Sequence, residues 1–175
     1  MNITGGIYNG RRINAPDEKI ARPTLSKVRM SVFNILYSIL GDFQDKTFLD
    51  MFGGSGIMGL EALSRGFKEV AVFEKNKTAY EIIKNNYSIL GLDARIILGD
   101  SLKLYKTISD YDVIYVDPPY MSKIYETVID MFKQNATKNS VLVLEHVVEL
   151  DLSEIKIIKQ KKYGDKFLTF AQRSD

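Results

Sequence analysis

The run Asp50-Met51-Phe52-Gly53-Gly54-Ser55-Gly56-Ile57-Met58-Gly59 constrains this chain more than any other stretch. Before it, Thr47-Phe48-Leu49 is short, apolar and β-rich. Gly54-x-Gly56-x-x-Gly59 then has the spacing that lets backbone approach a nucleotide-like ligand closely. Ile57, Leu60, Ala62 and Leu63, with Glu61 and Arg65 between them, follow a 3.6-residue period, and Gly66 is placed to end that helix. About twenty positions beyond Gly54, a second β-rich run, Val70 to Phe73, ends in Glu74, where a carboxylate can accept hydrogen bonds from two ribose hydroxyls. Strand, glycine turn, helix and acidic strand end together predict an α/β fold with a ligand at the turn.

The alternation continues on both sides of this unit. Leu25, Val28, Val32, Ile35 and Ile39 recur at helical spacing, widened by Phe33, Leu36 and Leu40. A helix over about residues 25 to 40 is therefore expected, with Thr24 as its cap, Lys27 and Arg29 off its apolar stripe, and Gly41-Asp42 as its end. Residues 76 to 90 read as a helix with Ala79, Ile82, Ile83, Tyr87 and Leu90 inward, and Ala94 to Leu98 as a strand that ends at Gly99-Asp100-Ser101. Tyr111 to Val116 runs as a strand into Asp117-Pro118-Pro119-Tyr120, followed by a helix over about 122 to 134 and a strand over 140 to 145. Such alternation implies a parallel sheet with right-handed crossovers, whose ligands sit outside the carboxyl ends of the strands. Asp50, Glu74, Asp100, Asp117 and Glu145 are then candidates for one crevice. The chain finishes differently, with Ile155 to Lys159 and Lys166 to Phe170 separated by Tyr163-Gly164-Asp165, which suggests a closing antiparallel hairpin.

Composition narrows the chemistry. With no cysteine and one histidine, His146, the chain offers no disulfide, no thiolate and no credible zinc site, and no metal is expected. Neither a signal segment nor an apolar run of the roughly 20 residues that cross a bilayer is present, so a cytoplasmic location away from membranes is expected. At 175 residues, one globular domain suffices, and a monomer is expected. Net charge is only +2, but residues 1 to 30 carry Arg11, Arg12, Lys19, Arg22, Lys27 and Arg29 against Asp17 and Glu18. Within residues 2 to 15, Gly5-Gly6 and Asn9-Gly10 flank Ile7-Tyr8, precede Arg11-Arg12-Ile13 and predict a small β-hairpin or arm, a frayed terminus being the alternative.

Asp117-Pro118-Pro119-Tyr120 indicates the reaction. A doubled proline after a buried strand makes a stiff loop that presents acceptors only. The Asp117 carboxylate and the Pro118 carbonyl can each accept one hydrogen of an amino group while Tyr120 stacks on a flat base. The exocyclic amine of a nucleobase is a poor nucleophile because its lone pair is delocalised into the ring. Two acceptors that draw its hydrogens out of conjugation release that lone pair toward an electrophile such as a methylsulfonium. An ordinary aspartate pKa of about 3.9 is too low to deprotonate a neutral amine, yet ample to take a proton from the cation formed on transfer.

With these motifs, the chain resembles the class I S-adenosylmethionine-dependent methyltransferases, and more narrowly the RsmD family of ribosomal RNA guanine-N2 methyltransferases. The resemblance covers almost the full length. It is carried by Gly5-Gly6 with Gly10-Arg11, Arg22-Pro23-Thr24 through Arg29, Phe33 to Leu36, the glycine loop, Leu60 to Gly66 and Asp117 to Tyr120. It implies a Rossmann-like sheet of about seven strands, mostly parallel with an antiparallel C-terminal hairpin, in a domain spanning 24–175 behind a basic arm at 1–23. It further implies S-adenosylmethionine held by Asp50, Phe52, Gly53, Gly54, Gly56, Glu74, Asp100, Ser101 and Asp117. A guanine of 16S ribosomal RNA, within an assembling small subunit, would lie against the catalytic residues Asp117, Pro118, Pro119 and Tyr120, with Arg11, Arg12, Arg22, Lys27 and Arg29 on the RNA backbone. Gly53 departs from an alanine common in the family and is expected only to add backbone freedom.

The same proline loop would serve adenine N6 or another exocyclic amine, in RNA or DNA, although DNA enzymes that resemble this chain carry an added target-recognition region. A dinucleotide-dependent dehydrogenase would share the glycine loop and Glu74 but not the proline loop. A non-enzymatic RNA-binding module would need only the arm.

Overall fold

A computed structural model describes residues 1–17, 19, 24–103, 109–119 and 122–174. Among these residues, seven strands form one sheet in the order β3-β2-β1-β4-β5-β7-β6. These are β1 (Thr47–Asp50), β2 (Glu69–Glu74), β3 (Arg95–Leu98), β4 (Val113–Val116), β5 (Val141–His146), β6 (Ile155–Tyr163) and β7 (Lys166–Arg173). The first five are mutually parallel; β7 runs antiparallel to both β5 and β6. The helices are α1 (Ser26–Leu40), α2 (Ile57–Ser64), α3 (Lys77–Ile89) and α4 (Ser122–Asn135). The expected architecture, including the closing hairpin, is therefore present.

Strand alternation distributes the core between two layers. Phe48, Val70, Val72, Val113, Tyr115, Val141 and Val143 point to the face covered by α1, α2 and α3. Leu49, Ala71, Phe73, Ile114, Val116, Leu142 and Leu144 point to the face covered by α4. Parallel strands buried on both faces must be apolar at every position, which is why these segments read as continuous runs rather than alternating ones. The short α2 buries all but one of its side chains. A helix of eight residues has little stability in isolation, so packing against the sheet fixes it.

The N-terminal segment is a docked hairpin, which excludes the frayed alternative. Asn2 bridges Arg12, the Ile3 amide donates to Arg11 O at 3.0 Å, and Ile3 and Ile13 join the same core as α1 and α2. Tyr8 N donates to Ser64 Oγ, Ser64 Oγ donates to Gly5 O, and Asn14 exchanges two hydrogen bonds with the Asn86 side chain. Thr24 does not cap α1. Leu25 occupies the N-cap without a side-chain bond, and the Thr24 carbonyl instead accepts from the Arg29 guanidinium.

Candidate active site

The sheet order reverses its direction of growth between β1 and β4: β2 and β3 add on one side of β1, and β4 and β5 on the other. Loops leaving the carboxyl ends of two such strands diverge to opposite faces and open a crevice. Here those ends are Asp50, which begins the glycine loop, and Val116, which precedes Asp117. Asp50 lies in register with Tyr115, and Met51 N donates to Tyr115 O at 3.0 Å.

Asp50 is 1% exposed, and its Oδ1 accepts from Phe52 N at 3.3 Å. Burial pushes its carboxyl up to about 8, the backbone bond from Phe52 opposes this, and the nearby Asp117 and Glu74 carboxylates add to it. No cation pairs with Asp50 among the described residues. A buried acid that lacks a counter-charge suits a cationic ligand with hydroxyl donors. Gly53 N donates to Phe73 O, and Gly54 N donates to Glu74 Oε2 at 2.7 Å, while Glu74 Oε1 accepts from Asn76 N. Glu74 thus ties the glycine loop to the end of β2 and retains lone pairs for further donors.

Gly56 caps α2 in the left-handed region at φ 74°, where an added Cβ would also lie 2.9 Å from Ile83 Cγ2. Gly59 permits close helix packing, since a Cβ there would fall 2.2 Å from the Tyr87 hydroxyl. Tyr87 in turn donates to Gly56 O at 3.1 Å. Gly53 does more than add freedom: a Cβ would meet Val72 Cγ1 at 2.5 Å, so alanine at this position requires Val72 to move.

At the end of β3, Asp100 Oδ1 accepts from Leu102 N, and Oδ2 pairs with Lys75 Nζ at 3.1 Å, which holds the carboxyl below its ordinary range. Ser101 is buried at the start of a 3-10 turn, Ser101–Lys103. Gly99 N donates to Glu74 O, so the ends of β2 and β3 adjoin. Beyond β4, Asp117 is half-buried, Pro118 buried and Pro119 exposed, whereas Tyr120 lies outside the described residues. Glu145 leaves the expected group of open carboxylates. It is 2% exposed, accepts from the Tyr115 hydroxyl at 2.7 Å and pairs with Lys166, so it supports the crevice from within.

Of the residues expected on the RNA backbone, Arg11, Arg12 and Lys27 are exposed, and Arg22 lies outside the described residues. Arg29 corrects the sequence reading. It is 1% exposed, pairs with Glu61 at 3.0 Å, and donates to Asn2 O and Ser26 Oγ as well as Thr24 O. It cannot reach a phosphate from there.

Two neighbours of the candidate site escaped the sequence reading. The Tyr115 hydroxyl stands near Glu145, Asp117 and Asp50, and its ionisation is pushed well above the ordinary range by burial and then by these acids. Tyr115 is two residues before Asp117, on the same strand face, which is the signal that could have found it. Met1 Sδ lies 3.6 Å from Ser55 Oγ, bringing the arm to the glycine loop.

A family model described as Conserved hypothetical protein 95 matches residues 1–172. Ribosomal RNA small subunit methyltransferase D of Escherichia coli (strain K12) is 30% identical over 159 residues, covering 89% of this chain and 79% of that protein. A hypothetical protein of Thermus thermophilus is 26% identical, with a TM-score of 0.84 over 98% of this chain and 99% of that one. Trm1 from Pyrococcus horikoshii, solved with S-adenosyl-L-methionine, shares the fold at 16% identity and a TM-score of 0.71, covering 93% of this chain and 59% of that one.

Proposed function

The chain belongs to the family of ribosomal RNA small subunit methyltransferase D, which is S-adenosylmethionine-dependent, and from that premise we propose that it methylates the exocyclic N2 amine of a guanine in 16S ribosomal RNA. The observation that carries this reading is the meeting of the Asp50 glycine loop and Asp117-Pro118-Pro119 at the one switch point of the sheet.

Bound S-adenosylmethionine supplies an electrophilic methyl group on a sulfonium. Asp50, Phe52, Gly53, Gly54 and Gly56 would hold its amino-acid end, and Glu74, Asp100 and Ser101 its nucleoside end. Asp117 and the Pro118 carbonyl orient the amine by accepting its hydrogens, and Asp117 then takes the proton released on transfer. Pro118 and Pro119 stiffen the loop that fixes this geometry, and Tyr120 stacks on the base. Arg11, Arg12 and Lys27 contact phosphates, with the RNA presented in a small ribosomal subunit under assembly to a monomeric cytoplasmic enzyme. Labelled methyl transfer from S-adenosylmethionine to small-subunit ribosomal RNA tests the reading. Absence of transfer to both naked RNA and the unmethylated particle overturns it.

Cofactor affinity is expected to depend on pH through Asp50. The cationic cofactor favours the carboxylate, so binding releases the proton that burial retains in the empty site. Affinity therefore rises with pH toward about 8 and levels off above it, and Asp50→Asn flattens the profile. Stability of the ligand-free protein runs the other way. The raised carboxyl contributes stability that is fully present below the unfolded value of about 3.9 and is lost as pH rises through about 8. Calorimetry across pH checks both, and an affinity independent of pH below that value counts against Asp50.

Gly54→Val and Glu74→Ala are both expected to weaken cofactor binding. The first places a β-branched side chain at a backbone φ of 55°, and the second removes the acceptor that Gly54 N already uses. Unchanged calorimetric affinity in both variants would remove the glycine loop from the cofactor site.

A further inference from the structure

The basic side chains fall into two groups on opposite sides of α1. Arg29 and Ser31 are two residues apart, so they project about 200° apart around the helix. On the Arg29 side lie Asn2 of the arm and Glu61 of α2. On the Ser31 side, the Ser31 hydroxyl bonds the Tyr163 hydroxyl at the end of β6. Lys27, one turn before Ser31, therefore stands on the hairpin side, away from Arg11 and Arg12.

The hairpin is strongly basic. Between Ile155 and Arg173 it carries Lys156, Lys159, Lys161, Lys162, Lys166 and Arg173 against the single acid Asp165. All four β6 lysines are exposed. Lys27, Lys159 and Lys161 pair with no acid among the described residues, and Lys161 Nζ lies over the ring of Tyr163, 5.7 Å from its centroid, the same Tyr163 that meets Ser31 of α1. Register fixes their height on the sheet. Val116 pairs with Leu144, the next residue, Glu145, with Leu168, and Leu168 with Lys161. Lys161 is thus level with Asp117, three strand spacings away, or about 14 Å. Leu168 and Phe170, the partners of Lys161 and Lys159, belong to the core face shared with Tyr115, so both lysines lie on the face of the sheet that carries α1.

We propose that Lys159 and Lys161 of β6, with Lys27 of α1, hold the RNA phosphate backbone on the side of Asp117 opposite the glycine loop. This rests on the methyltransferase reading and extends it to the path of the substrate. Lysines on an edge strand also discourage edge-to-edge pairing, but that role is served by charge anywhere along the strand. It does not account for Lys161 at the level of Asp117, nor for Lys27 joining from another element. A polyanion crossing the Asp117 loop meets the arm at one flank and this cluster at the other, and contacts on both sides help hold an unstacked base in place.

The test compares three forms of the full chain: the parent, Lys159→Gln/Lys161→Gln, and the same pair changed to Arg. Affinity for a small-subunit ribosomal RNA transcript is measured against salt, with cofactor calorimetry on each form. Each lost phosphate contact lowers the slope of log affinity against log salt by roughly 0.7, so the double Gln variant should lose about 1.4. Over a fourfold rise in salt, its affinity should fall about sevenfold less than the parent's. The Arg pair should keep the parent slope, which separates charge from packing. A parent slope in the Gln variant, with cofactor binding and methyl transfer intact in the parent, overturns the proposal alone. Loss of activity only on the assembled particle, at an unchanged RNA slope, would mean that the hairpin meets protein and also overturns it. A parent that binds no RNA and transfers no methyl group overturns the underlying reading together with it.

Discussion

Asp117→Ala is expected to lower methyl transfer by on the order of a hundredfold or more while leaving cofactor affinity within a few-fold of the parent. Asp117 follows β4 directly, and the Pro118 carbonyl, its proposed partner in accepting the amine hydrogens, belongs to a buried proline whose ring fixes the local backbone. In the proposed mechanism, loss of the carboxylate leaves one amine hydrogen undrawn and the proton released on transfer without an acceptor at the reacting nitrogen. Single-turnover rates separate this from binding. A variant with near-normal rates would assign Asp117 to scaffolding.

The second large effect is on folding. Glu61 is fully buried, and its carboxylate accepts from Thr4 N at 2.9 Å, Thr4 Oγ1 at 2.8 Å, Arg29 Nε at 3.0 Å and the Arg65 guanidinium. It thereby joins the arm, the first turns of α1 and the helix that starts at the glycine loop. Removing one partner of a buried pair leaves the other charge uncompensated, and Glu61→Ala is expected to lose roughly 3 to 5 kcal/mol. That is a large part of the roughly 5 to 15 kcal/mol that holds a typical domain together. Arg11→Gln with Arg12→Gln, at exposed sites, should change stability by less than about 0.5 kcal/mol per residue. Denaturant unfolding checks both. A loss below about 1 kcal/mol for Glu61→Ala, by the same scale of buried-pair effects, would show that the arm is held by its apolar residues and its bonds to Ser64 and Asn86 rather than by Glu61.

Sequence revealed the parts of this molecule whose cause is local. The glycine spacing, the apolar strands that end in Asp50 and Glu74 or run out just before Asp100 and Asp117, and the hairpin at Gly164 each follow from a few neighbouring residues. Arg29 was misplaced because a charged side chain off the apolar stripe normally faces water. Its burial depends on Glu61, thirty-two residues away, and on carbonyls of the arm and of Thr24. Glu145 was misplaced for a related reason: its strand end is closed by Tyr115 from β4 and Lys166 from β7, a pairing that only the sheet order brings about. Docking of the arm had no such local signal, because its isoleucines Ile3, Ile7 and Ile13 take different environments. Two of these are buried, whereas Ile7 remains 82% exposed.

The most direct test of the proposed activity is the identity of the methylated nucleoside. Small-subunit ribosomal RNA or particles lacking the mark are incubated with the protein and S-adenosylmethionine, digested, and analysed by mass spectrometry against synthetic standards. N2-methylguanosine, formed far more slowly with Asp117→Ala, is the predicted product; N6-methyladenosine, or no methylated nucleoside at all, would contradict the account.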